Sequence, residues 1–367
     1  MAENNRMTVG TPDIASVGPI AFGPDDVLFV ADNVRATITA LDVADDGPRA
    51  GDEALDVDEL DLQLAAFLGC NVDDVVIRDM DVHPRTQNVY LSVMRGRGGA
   101  AIPLIAKIDR SDGSLSEVPI QDVAFSQVSV ANAPTADDER TDTQLPDPPD
   151  GDEIDVRGTK LRIARTPARA STVTDMAYVN GVLLVAGMSN EEFSSNLRRI
   201  PFPFSGEMLD NSLEIFHVSH GMWETAAPIR TFVPYEDGRS ILASYTCTPL
   251  VHFPLAEVAT GTHAVGRTVA ELGPMNQPVD MVSFRQGTAE YLLIAHSRHP
   301  LMKIACTDID VQDPLTEPKE PHGVPRDEIE GLGTVRRLAN LNDEYVLALQ
   351  RDESGVRHLR SLKTASL

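Results

Sequence analysis

Six stretches of this chain repeat one pattern: a short apolar strand, a turn, a second apolar strand, a polar corner and a third strand. The clearest copies are 279–304, 174–190 and 78–96. First strands begin near Asp175, Pro228, Asp280 and Val335, at spacings of 53, 52 and 55 residues. A strand meander that recurs about every 50 residues cannot bury its faces alone, so the copies must stack around an axis. The expected fold is therefore all-β, a single β-propeller over 1–367 with six blades. Asp79 and Asp175 lie 96 residues apart, which leaves room for a seventh, degenerate blade as the alternative.

Two segments break the rhythm. In 57–68, VDELDLQLAAFL, leucines recur at helical spacing behind acids that suit a helix N-terminus, which predicts a short inserted helix. Residues 122–172 contain the Pro- and Asp-rich run APTADDERTDTQLPDPPDGDE and are expected to form an acidic, flexible insertion, with 153–164 as a hairpin on its far side. The last copy has little room for a fourth strand, and the N-terminal NRMTVG is the candidate to supply it and close the ring.

Charge narrows the function classes. The formal net charge is −25, which argues against nucleic acid and anionic membrane surfaces, because phosphates are held by clustered Lys and Arg. Windows 42–61 and 137–155 each carry nine acids against one arginine and read as solvated loops. Cys70, Cys247 and Cys306 are too few and too scattered for a disulfide framework. The N-terminus shows no secretory signal, and no run reaches the roughly 18–20 apolar residues of a membrane span, so the expectation is a cytoplasmic protein. There is no P-loop, no GxGxxG opening a helix, no HExxH and no CxxCH, so neither a nucleotide cofactor nor haem is expected.

The segment IAFGPDDVLFVAD (20–32) resembles the strand–turn–strand core of the NHL and SMP-30-like propeller superfamily. The resemblance covers most of the chain as a repeat and implies the propeller fold. SMP-30-like lactonases carry a metal-binding acid just before the Gly-Pro of their first blade. Here that position is Val17, so the resemblance does not imply that lactonase chemistry.

Within a blade, the start of strand one and the corner after strand two lie on the same face. That face should gather Asp79, Asp175 and Asp280, each followed by Met, with the corners that hold Asn190 and Glu191, Tyr245 and Cys247, and His296, Arg298 and His299. YTCTPLVHF (245–253) aligns with HSRHPLMKI (296–304), placing Cys247 opposite Arg298 in a neighbouring blade. The three aspartates read either as a ring of oxygen ligands for calcium or as acceptors that fix inter-blade turns. Cys247 with His296, His299 and, as further options, His252 or His220 reads as a nitrogen–sulfur site for copper or zinc, with a buried structural cysteine as the plainer alternative. A nucleophilic Cys247 would need His220 or His296 as base. His220, beside His217 in a loop with Trp223, reads either as part of a loop folded over the channel mouth or, the plainer alternative, as flanking a Trp223 that packs between blades. Asn190, Glu191, His220, Tyr245 and Arg298 are the candidate ligand-binding residues. The functional expectation is a small-molecule or metal site at one mouth, serving a metal-dependent oxidoreductase or hydrolase. The alternative is a non-catalytic propeller that binds a ligand or partner protein there.

Overall fold

The computed structural model describes residues 7–145, 152–156, 159–258, 261, 263–273, 275–317, 322–332 and 334–367. Six antiparallel sheets stand around a common axis. Their inner strands are Ile20–Phe22, Val75–Val82, Asp175–Val179, Thr231–Tyr235, Pro278–Gln286 and Thr334–Asn340, blades one to six in chain order. The middle strands are apolar on both faces. In Val27–Asp32 every residue is buried. Leu28 and Val30 pack toward blade two, while Phe29 and Ala31 pack toward blade three. Each such large apolar side chain contributes about 1.5–3 kcal/mol. This two-sided burial explains why the repeats read as continuous apolar runs.

The order of the blades around the ring is not their order in the chain. One hydrophobic cluster fills each gap between neighbours, and these clusters join blades one and two, one and three, three and four, four and five, five and six, and six and two. The ring therefore runs two, one, three, four, five, six, and closes six on two. After Thr37–Asp42 the chain leaves blade one and builds all of blade two on the far side. It then returns with Val123–Ser129, which pairs with Thr37–Asp42 as the next strand of blade one. This return, together with the small sheet formed by Thr141–Gln144, Asp152–Val156 and Thr159–Pro167, fills the 96-residue gap in place of a seventh blade.

The N-terminal strand Thr8–Gly10 pairs with Val123–Ser129 at the outer edge of blade one. It does not complete blade six, as the sequence had led us to expect. Among the described residues blade six has three strands, and its outer strand is met by the chain leaving blade one. Val57 and Leu359 exchange backbone hydrogen bonds of 3.0 and 2.9 Å. Leu55 N–H donates to Ser361 Oγ, and Ser361 N–H donates to Asp56 Oδ1. The helix Leu60–Leu68 follows directly, with Leu60, Leu64 and Leu68 buried in the cluster between blades six and two.

The acidic window 42–61 is thus partly structural rather than a solvated loop. Asp45 is buried and accepts hydrogen bonds from Thr86, Asn88 and Tyr90. Proline at Val57 removes one strap donor. We expect Val57→Pro to lower stability in chemical denaturation by about 1–2 kcal/mol; an unchanged midpoint would mean that the strap holds nothing.

Residues 141–167 form a separate small sheet. Thr159–Pro167 pairs with Thr141–Gln144 on one side and with Asp152–Val156 on the other, the latter being the expected hairpin. The sheet lies against the face that carries the blade corners. Arg169 donates to the Asn33 and Val34 carbonyls of blade one, and Arg140 to the Ser189 and Glu191 carbonyls of blade three. Leu145 N–H reaches the Gln277 side chain at the start of blade five. Residues 146–151 and 157–158 of the expected flexible insertion lie outside the described residues.

Candidate metal centre

The aspartates that begin the inner strands are pins between blades. Asp79 Oδ2 accepts from Ile20 N–H of blade one at 2.8 Å, Asp175 Oδ2 from Phe232 N–H of blade four at 2.7 Å, and Asp280 Oδ2 from Leu338 N–H of blade six at 2.9 Å. In each, the other oxygen takes the amide of the following methionine. Asp81, which the sequence reading passed over, makes the same pair of bonds to Phe22 and Val82. With every carboxylate bonded to two amides, this geometry matches the turn-fixing reading rather than a set of oxygens directed at a cation.

Burial pushes these carboxyls up: Asp81 to about 7, with Asp79, Asp175 and Asp280 also raised. A raised carboxyl holds its proton in the folded chain while the unfolded chain has lost it. Its stabilising contribution is therefore present at low pH and is lost as pH climbs between about 4 and 7. Glu224, held down to about 2, acts oppositely, and its contribution is lost only in stronger acid. Thermal unfolding should accordingly peak near pH 4 and fall by a few degrees toward pH 7. A midpoint that rises steadily to pH 8 contradicts this assignment.

Cys247 belongs to a different constellation. Strand Leu209–His217 of blade three ends in a tight turn, in which Gly221, at φ 64°, donates to the His217 carbonyl at 2.8 Å. The chain then reverses into Met222–Glu224, which pairs back on the same strand. The turn brings the His217 and His220 rings to 3.9 Å between centroids. Both offer Nδ1 to one carboxylate: His217 to Glu224 Oε2 at 2.7 Å and His220 to Glu224 Oε1 at 2.5 Å.

Cys247 sits opposite, in the corner of blade four. Cys247 and Thr248 both take left-handed backbone, at φ 64° and 61°, a conformation that costs a non-glycine residue of order 1–3 kcal/mol. The corner is held there by Cys247 N–H to Asn276 O at 2.7 Å and Thr248 Oγ1 to Gly273 O at 2.7 Å. The donor atoms of His217, His220 and Cys247 all lie within 4.8 Å of one another.

The electrostatics follow from this packing. Burial opposes ionisation of the Cys247 thiol, but the two imidazoles outweigh it and bring the thiol down to about 6. Burial likewise opposes charge on His217, yet Cys247 and Glu224 raise it to about 9, and the same pair lifts His220 to about 10. Without a metal, two imidazolium ions thus face a thiolate and a carboxylate. A divalent ion that displaces the two Nε2 protons leaves the net charge of the group unchanged. Glu271, fully buried, places Oε2 3.9 Å from His217 Nε2, and burial raises it to about 7.

All three donors line a cavity of about 740 Å³ at this mouth, with the small sheet forming one wall. That wall is pinned by Asp142, which takes both Arg230 terminal nitrogens at 2.7 and 2.6 Å and Ser171 Oγ at 2.5 Å. Arg230 also donates to Thr246 Oγ1 and to the Thr143 carbonyl.

The other sequence candidates are not part of this donor group. His296 is buried, burial drives it down to about 3, and neither ring nitrogen has a partner among the described residues. Its neighbour is His299, 6.4 Å away between ring centroids, and neither is grouped with Cys247. Arg298 is exposed, its amide bonded to Asn276 Oδ1. Tyr245 is in the core between blades three and four. Asn190 and Glu191 bond to Asn132 beside the small sheet. Of the named candidates the structure unites Cys247 with His220. It adds His217 and Glu224, whose signal was the pair of histidines three apart in a strand–turn–strand segment.

No known protein family and no curated protein matches the chain. Solved structures similar to it include a chain of the mitotic checkpoint complex (12% identity over 99% of this chain and 96% of that one, TM-score 0.41). Others are the PQQ-bound aldose sugar dehydrogenase from Streptomyces coelicolor (13%, 99% of each chain, TM-score 0.34) and streptogramin B lyase (10%, 98% and 97%, TM-score 0.32). These likenesses reach no further than the propeller. The resemblance to the NHL and SMP-30-like group stays at that level too. Among the described residues, no helix is long and apolar enough to cross a membrane.

Proposed function

We propose that this protein is a metal-dependent enzyme acting on a small molecule, with zinc or copper held by His217, His220 and Cys247. One observation carries the reading: two imidazole nitrogens and the Cys247 sulfur converge on the wall of a cavity, with both imidazoles oriented from behind by a single carboxylate. A carboxylate on the far nitrogen of a ligating histidine fixes its tautomer and raises its basicity. Three protein ligands with the next position facing a cavity is the pattern of catalytic rather than structural zinc. The cavity is what favours catalysis over simple electron transfer by copper. The thiolate and imidazoles suit these borderline ions and not calcium.

In this reading the metal supplies a Lewis acid and an activated water, which makes hydrolysis the leading reaction class. Glu271 is the candidate proton acceptor, because its Oε1 has no hydrogen-bond partner among the described residues. The reading is tested by titrating chelator-stripped protein with zinc, and with cobalt as a coloured stand-in. About one ion per chain and a thiolate-to-cobalt charge-transfer band are expected. Protein that takes up no zinc, copper or cobalt leaves a ligand-binding propeller instead. Glu271→Gln should keep the metal and lower turnover of any hydrolysed substrate by about 10²-fold or more; equal turnover removes Glu271 from the mechanism.

A further inference from the structure

The cavity in front of these donors has its own chemistry, and it points to a class of occupant. Its described lining includes Leu145, Ile163, Met188, Met222, Trp223 and Met275. Met222 and Trp223 keep 54% and 48% of their surface exposed, although both sit on the short strand that returns from the histidine turn. Trp223 is the only tryptophan in the chain, and Phe216 holds it edge-on at 5.5 Å between ring centroids. A large ring fixed on one side and open on the other is a stacking platform.

Apart from the three donor residues, the charged groups around the cavity are already committed. Arg230 is the one guanidinium among the described lining residues, and it is spent on Asp142, Thr143 and Thr246. Both Glu224 oxygens are taken by the histidines. No lysine is among those lining residues. Beyond the proposed metal centre itself, whose imidazoles already face the Cys247 sulfur and the Glu224 carboxylate, a carboxylate or phosphate on the occupant would find no free cation among the described lining residues, and the chain's charge of −25 opposes its approach. A volume of about 740 Å³ falls in the range of drug-sized ligand pockets.

We infer that the cavity binds an uncharged aromatic small molecule, stacked on Trp223 and packed among the methionines, with its reactive end toward Cys247 and the two histidines. The inference rests on the proposed metal centre for the direction of that reactive end, but the binding itself needs no metal.

The test uses full-length, chelator-stripped protein and N-phenyl-1-naphthylamine, a neutral aromatic probe whose own emission rises on binding and which quenches tryptophan. Saturable binding of one probe per chain is expected, with loss of Trp223 emission. The anionic relative 1-anilinonaphthalene-8-sulfonate should bind at least about tenfold more weakly. Trp223→Ala should weaken the neutral probe about tenfold, and Trp223→Phe should restore most of the affinity. Equal or tighter binding of the sulfonate, or a Trp223→Ala variant that binds as well as the parent, overturns the inference. Because the probe is read without metal, the two readings fail separately. Probe binding in a protein that takes no metal sinks the enzyme reading alone, and metal uptake without probe binding sinks this one alone.

Discussion

Cys247→Gly should weaken metal binding on the order of a hundredfold and leave the protein as stable as before, or slightly more so. The sulfur is one of three donors in a set that holds them within 4.8 Å. If a zinc-site free energy of about 10–16 kcal/mol is shared among four ligands, one ligand accounts for about 3 kcal/mol, on the order of a hundredfold in affinity. Residue 247 also sits at φ 64°, a conformation that glycine enters without a Cβ penalty. Most core substitutions lose stability and function together. Here the two should separate, because the strain at Cys247 is removed along with the ligand. Competition against a chelator of known affinity, with thermal unfolding of the metal-free protein alongside, reads both quantities. A variant that binds zinc like the parent removes Cys247 from the centre. A metal-free variant that unfolds several degrees earlier shows that Cys247 is a packing residue.

Arg230→Ala should be the most damaging single substitution near the site, at about 3–5 kcal/mol, because it strands a buried carboxylate. The Arg230 and Asp142 side chains are 6% and 4% exposed, and Asp142 would keep only the Ser171 hydroxyl. The damage should extend to the cavity, since this pair fastens the small sheet to blade four. Replacing both partners, Arg230→Met with Asp142→Leu, should restore most of the stability, because no unpaired charge remains. Denaturant titration of the parent and the two variants decides it. If the single and double variants unfold alike, the pair is not what holds that wall.

The fold was legible because a propeller writes itself into local order. Apolar strands, turns and corners recur at a period that survives without any knowledge of contacts. The three Asp-Met strand starts were visible for the same reason, and so was the face on which the corners gather. What could not be read was adjacency across the ring. Cys247 was singled out in a corner of blade four, but its partners come from a hairpin of blade three more than 25 residues upstream. The alignment of 245–253 with 296–304 drew attention to His296 and His299 in blade five instead. Equivalent positions in successive blades are related by rotation about the axis, which does not bring their side chains together. The acidic window 42–61 was judged by its charge alone, and charge does not reveal that Asp45 has three buried donors waiting. The place of blade two in the ring was also hidden, because nothing local in its sequence says which neighbour it will pack against.

That placement has a consequence for the order in which the molecule can be made. Blade two and the strap at 55–61 are synthesised early, yet both pack against blade six, made last. The Leu55–Ser361 hydrogen bond spans 306 residues, so the final loop to close is nearly the whole chain. Until then, one apolar face of blade two has no sheet to cover it. Leu60, Leu64 and Leu68 lie on that same face, only a few residues upstream in the chain, and form a local cover while the ring is still open. Until blade six is made, this helix is thus the cover that the open seam of blade two has.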